Sequence, residues 1–169
     1  MLTYKEYVLL SESMDKPYQM NLIPDRYIEN HDGSVSGHFD EHEPSIGLYN
    51  RKLYSIGDAG YVTTYERNGA TEIHHYDKQN LTSDGVIADP SKQSPNPRFV
   101  ATMFHHAKQL IDNEDKTIRI AGRIGSTAEP YHRIAKILAK RHGYSVSSLT
   151  PSEHKPNDIA EFTISNSSK

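Results

Sequence analysis

Residues 119–133, RIAGRIGSTAEPYHR, set glycines and hydroxyl side chains between an apolar alternating run and a helical stretch. In that layout, backbone N–H groups at a helix start can cradle a phosphate. The spacing completes neither phosphate motif. A P-loop needs G-x-x-x-x-G-K-[ST], and Gly122-x-x-Gly125 is followed by no Lys-Ser/Thr pair. A dinucleotide fingerprint needs G-x-G-x-x-G, and its second and third glycines are missing. A helix start remains: Ser126-Thr127-Ala128-Glu129 fits a capping box, and Pro130 suits the first turn, with the cap at Ser126 or Thr127. The stretch reads as a structural turn and cap, and an anion site assisted by Arg123 is the alternative.

Histidines carry the other chemistry. His38-x-x-x-His42, within GHFDEHE, groups two imidazoles with three carboxylates, and on a helix such a pair can share a metal. Gly37, Pro44 and the flanking polarity point to a solvated loop, so no metal is expected. His74 and His75 on a strand face opposite sides, so at most one can enter a given site. His105 and His106 lie about 100° apart on a helix, one bordering the core and the other meeting water. The basic face of Arg133, Lys136, Lys140, Arg141 and His142 is most simply solvated.

The elements that must position these groups are set by pattern. Residues 2–12 suit a short amphipathic helix with Thr3 as cap and Glu6 three residues on. Residues 18–29 read as a strand or two broken by Pro24, and 30–47 as a polar loop. Asn68-Gly69 joins two β-rich runs, which predicts a hairpin with strands at about 61–67 and 70–77. GVIAD (85–89) predicts a further strand. A helix over 98–112 puts Val100, Met103, Phe104, Ala107 and Ile111 on one face. KTIRIAG predicts a strand with Ile118 and Ile120 on one side. A helix over 130–142 stripes Tyr131, Ile134, Ala135 and Leu138, with Gly143 just past its end. YSVSSL and IAEFTI close the chain as two strands, and SNSSK reads as a disordered tail.

The 169 residues suit one domain, and the absence of Cys excludes disulfides and thiolate metal sites. A net charge of −3 gives no global attraction to nucleic acid. No apolar run approaches the roughly 20 residues of a membrane span, and Glu6 interrupts the start as a secretory signal. The expected fold is α/β (α+β): a single domain, residues 1–169, with a mostly antiparallel mixed sheet and flanking helices.

From about Gly85 to Ile164 the chain resembles the C-terminal half of the GNAT acyltransferase fold. In that family strand, helix, strand and helix are followed by Gly-Phe or Gly-Tyr and a closing hairpin. The second helix commonly reads A-x-x-L-Y-x-x-x-G-[FY], and here Ala135-x-x-Leu138-Ala139-x-x-x-Gly143-Tyr144 stands in its place. The resemblance implies acyl transfer from acetyl-CoA to an amine. The family's [QR]-x-x-G-x-[GA] phosphate loop is matched by KQSPNPRFVA, which has no glycine, while Pro95 and Pro97 each remove an N–H donor. Gln93, Asn96, Arg98 and Phe99 are then the cofactor-binding candidates, Gln93, Asn96 and Arg98 through side chains. The family's acidic Tyr falls on Ala139, so Tyr131, Tyr144 or water is the candidate substitute. Glu72, His74 and His75 are the candidate bases for the amine proton. The basic helix face can alternatively meet the cofactor's 3′-phosphate or a nucleic-acid backbone. The family's two parallel strands splay, and the gap receives the pantetheine arm.

MLTYKEYVLLSE also resembles the leader of proteins packaged in tailed-phage heads, which often begin Met-Lys-Thr-[Tyr/Phe]-x-Glu-[Phe/Tyr]. Position 2 is Leu where that pattern has Lys, and Leu10-Ser11-Glu12 matches the [Leu/Ile]-x-Glu cleavage site. This resemblance implies a phage protein in the host cytoplasm or the virion. The alternative function is then a non-catalytic GNAT-like scaffold, virion-associated or binding a host factor.

Overall fold

In the computed structural model, which describes residues 16–22, 27–29, 35–38, 49–56, 60–77, 97–153 and 155–168, a hairpin organises the sheet. Asn68 and Gly69 both take positive φ, 50° and 76°, as a tight two-residue turn between twisted strands requires. The turn sets the register of β5 (Gly60–Arg67) on β6 (Ala70–Asp77), from Arg67 opposite Ala70 to Gly60 opposite Asp77.

Around it the described elements run β1 (Asn21–Leu22), β2 (Tyr27–Glu29), β3 (Val35–His38), β4 (Tyr49–Ser55), β5, β6, α1 (Pro97–Glu114), β7 (Ile118–Arg123), α2 (Ala128–His142), β8 (Tyr144–Val146), β9 (Thr150–Pro151) and β10 (Ile159–Asn166). The main sheet is ordered β1-β4-β5-β6-β7-β10-β8, with β9 also on β10, and β2 and β3 form a separate pair. This is a single α+β domain with a mixed, mostly antiparallel sheet and, among the described residues, two helices and one parallel pair, β6–β7.

The parallel pair is short. Thr71 meets Ile118 and Glu72 meets Arg119, and there the register ends. Ile73–Asp77 of β6 continue on β5, and Ile120–Arg123 of β7 continue on β10, without pairing to each other. The sheet therefore parts into two halves above Glu72 and Arg119. Among the described residues, backbone N–H and C=O groups on the two facing edges have no strand partner there.

Both helices pack on one face. Val100, Met103, Phe104, Ala107 and Ile111 of α1 and Tyr131, Ile134, Ala135 and Leu138 of α2 join Ile73, Ile118, Ile120, Phe162 and Ile164 in one core. Phe104 meets Tyr131 edge-on at 6.2 Å between ring centroids. Burying a side chain such as Phe104 stabilises the fold by about 1.5–3 kcal/mol. Gly143 ends α2 in the left-handed region at φ 73°, its N–H donating to the Ala139 carbonyl. No helix among the described residues is long and apolar enough to cross a membrane.

Three expectations change. The expected loop 30–47 contains β3, held by β2, and β4 comes after it where no strand was expected. Its sequence YNRKLYS has no apolar alternation; pairing with β5 and the packing of Tyr54 and Ile56 hold it. The tail is ordered through Ser168: Ser165 and Asn166 pair with Ser145 and Tyr144, and the Ser167 hydroxyl donates to the Gly143 carbonyl. The expected helix 2–12, the leader, the strand 85–89 and His42 lie outside the described residues.

Candidate active site

Alternation on the strands sends Ile73, Ile118, Ile120 and Phe162 to the helices and their neighbours to the opposite face. On that second face, at the point where β6 and β7 part, stand Arg67, Glu72, Arg119 and Glu161. The four side chains are 15%, 4%, 15% and 18% exposed, so their charges interact in a largely desolvated setting. Arg67 Nη2 donates to Glu72 Oε1 at 2.6 Å. Arg119 Nη1 lies 3.7 Å from the same oxygen and donates at 3.1 Å to the Arg67 carbonyl. Glu161 stands 3.8 Å from Arg67 and 4.0 Å from Arg119, beyond hydrogen-bond reach of either.

His74 is next on the same face of β6. Its Nε2 shares a 2.8 Å hydrogen bond with the Tyr65 hydroxyl, and the two rings stack at 5.3 Å with 9° between their planes. The same nitrogen is 3.8 Å from Glu72 Oε2, where it acts through its field. Burial pushes the Glu72 carboxyl up, but His74, the Tyr65 hydroxyl and the Arg67 charge outweigh it and bring its pKa to about 2. A carboxylate that acidic is a poor proton acceptor at neutral pH.

The sign of the resulting pH dependence is fixed. A carboxyl whose folded pKa lies below its ordinary 4.5 contributes stability above pH 4.5 and loses it as pH falls towards 2. Across that window wild type is expected to lose on the order of 3 kcal/mol more than Glu72→Gln. Urea unfolding at stepped pH values checks this; parallel losses in the two proteins would contradict it.

The remaining candidates are dispersed. Tyr131 is 5% exposed within the core, and burial pushes its phenol up, which makes it a packing residue rather than a proton donor at the opening. Tyr144 sits on β8, which β10 and β7 separate from β6, about 14 Å at ordinary strand spacing. Its hydroxyl donates at 2.5 Å to Asp112 of α1; burial and that carboxylate hold its pKa up. It ties a strand to a helix. Neither phenol joins Glu72 and His74.

Arg98 lies exposed in the first turn of α1. Its Nε donates to the Lys16 carbonyl at 2.9 Å, and its guanidinium stands 4.1 Å from the Tyr18 ring centroid. The Tyr18 N–H donates to Thr102 Oγ1 at 2.8 Å, so residues 16–18 lie across the helix start. Gln93 and Asn96 are outside the described residues, as are the side chains of Phe99 and His75. His105 and His106 are both half-buried, where one was expected in water; His106 lies edge-on to Tyr54, and burial pushes its pKa down.

The turn from Arg123 to Thr127 leaves no backbone N–H free for an anion. The N–H groups of Arg123, Ile124, Gly125, Ser126 and Thr127 are all accepted within the chain, by Thr127 Oγ1, the Asp158 carbonyl, the Glu129 carboxylate and, for the last two, the Arg123 carbonyl. Thr127 is the cap residue, but its hydroxyl accepts from Arg123 rather than from the helix. Glu129 reaches back to Gly125, a residue earlier than a capping box on Ser126 would require.

Arg67, Tyr65, Arg119 and Glu161 were not among the residues singled out from sequence. A signal was present, because Arg119 and Glu161 interrupt TIRIAG and IAEFTI at the positions between core residues. Interior strands with charges at those positions need partners on the second face.

No family model matches the chain, and no curated protein matches it. Among solved structures, a "putative acetyltransferase" from Sphaerobacter thermophilus DSM 20745 is similar, at 8% identity over 98% of this chain and 90% of that one, with a TM-score of 0.42. A likeness at that level carries no argument about chemistry.

Proposed function

We propose that the chain transfers an acyl group from an acyl-CoA such as acetyl-CoA to an amine. The observation that carries this reading is the parting of β6 and β7 beside the Tyr65–His74 pair. Backbone donors and acceptors on the two edges, unpaired among the described residues, suit an extended, amide-bearing arm running between them. Arg98 at the start of α1 is the described cation nearest to where this reading puts a pyrophosphate. When bound, the thioester supplies the acyl group: the amine nitrogen forms the C–N bond as the C–S bond breaks, and the sulfur leaves as a thiolate that takes a proton from water.

In this reading the chain's own work is proton removal and positioning. His74 takes the amine proton, its ring held by Tyr65 and by the field of Glu72. Glu72 stays ionised beside it, its pKa brought down to about 2.

Calorimetry with acetyl-CoA tests the reading, with saturable binding expected. Absence of heat at millimolar acetyl-CoA would remove it and leave the non-catalytic scaffold. With an active acceptor in hand, His74→Ala is expected to slow thiol release about a hundredfold or more while acetyl-CoA affinity is kept. Equal loss of affinity would assign His74 to binding instead.

A further inference from the structure

The charges on the second face are unevenly satisfied. Two guanidiniums face two carboxylates, yet the hydrogen bond between opposite charges there is Arg67 Nη2 to Glu72 Oε1. Arg67 Nε is buried and has no hydrogen-bond partner among the described residues. Glu161 lies within the field of both arginines and bonded to neither. A buried donor without an acceptor is destabilising, and it persists in folded proteins where a ligand, water or ion completes it.

We infer that Arg67, with Arg119 beside it, forms a carboxylate subsite for the acyl acceptor, and that Glu161 receives the acceptor's ammonium group. The acceptor class is an amine that also carries a carboxylate, as a free amino acid does. This rests on the acyl-transfer reading. Guanidinium N–H groups match a carboxylate in a planar, two-bonded fashion, and Arg67 has an edge nitrogen to give. The existing charges sum to zero, two arginines against Glu72 and Glu161, so a lone anion would unbalance the site and a zwitterion would not. The site also sits where chemistry needs it: Glu72 and Arg119 form the last pair before the strands part, and His74 is the next residue on that face.

The test uses the full chain and reads arginine Nε–H signals by nitrogen–proton NMR, with Arg67→Lys and Arg119→Lys to assign them. Propionate, ethylamine and L-alanine are titrated separately. Propionate and L-alanine are expected to shift the Arg67 signal and ethylamine to leave it, with L-alanine binding about tenfold more tightly than propionate. No shift at tens of millimolar of any probe, or an equal shift with ethylamine, would overturn the subsite. L-Alanine binding no more tightly than propionate would overturn the role of Glu161. The titrations are read on the wild-type chain, and Arg67→Gln serves for the assignment where Arg67→Lys fails to fold. Calorimetry with acetyl-CoA reports separately on acyl transfer, so L-alanine binding without acetyl-CoA binding would keep the subsite and remove the transferase.

Discussion

Glu72→Ala is expected to destabilise the protein by about 3–5 kcal/mol, the usual cost of breaking a buried ion pair from one side. The size reflects what is left behind. Arg67 and Arg119 both approach Glu72 Oε1, at 2.6 and 3.7 Å, and each is largely shielded from water. Without that carboxylate, two desolvated guanidiniums stand together with Glu161 as their remaining anion, beyond hydrogen-bond distance. The damage also falls where β6 meets β7, and that junction is two residue pairs long. Urea unfolding at pH 7 measures the effect. A loss below about 1 kcal/mol would place the pair with exposed surface salt bridges and contradict the burial argument. Restoring neutrality, as in Glu72→Ala with Arg67→Met, is expected to recover part of the loss, since well-packed apolar groups often replace a buried pair at little cost.

Gly122→Ala is expected to cost about 3 kcal/mol or more, at or beyond the upper end of ordinary overpacking. A Cβ at position 122 would stand 2.5 Å from the Ala128 nitrogen, 2.6 Å from its Cα and 2.8 Å from the Thr127 carbonyl carbon. All three atoms are backbone at the start of α2, so no side chain can swing aside. Relief requires moving the helix away from β7, which would open the core around Ala128 and Tyr131. Gly125→Ala supplies the contrast. Its Cβ meets nothing within 4 Å, so its strain comes from the φ of 77° and is expected near 1 kcal/mol. Thermal or urea unfolding of the two variants separates them; equal losses would mean that α2 can shift freely.

Gly122 shows how the glycine-bearing turn was legible in part. The sequence of 119–133 establishes a turn into a helix, and its spacing argues against a phosphate loop. The reason for the glycine is not local. It lies in how closely the first turn of α2 passes over the end of β7. Tyr131 makes the same point from the other side. Its place on the apolar stripe of α2 marks it as core, and the family's missing Tyr at Ala139 makes it a candidate substitute acid; the packing against Phe104 agrees with the stripe.

The pattern-rich elements were readable because their information is carried by neighbours. Asn68-Gly69 dictates a turn through backbone conformation alone, and each helix declares its buried face by repeats of three and four residues. β3 and β4 were not readable, because YNRKLYS is a strand by virtue of its pairing with β5 rather than its own alternation. The candidate site lay further out of reach. Glu72 and His74 stood out as residue types, but Arg119 and Glu161 come from strands far along the chain.

The order of residues alone therefore dictates the hairpin, the two helices, the strands that flank them and the core they share. Each rests on periodicity or turn chemistry within a few residues. Only the folded arrangement decides the place where β6 and β7 part, the clamp that makes Glu72 a poor base, and the orphaned donor on Arg67. Those properties arise from distances between strands remote in sequence and from the water excluded between them, and a charge's strength as acid, base or ligand depends on that exclusion.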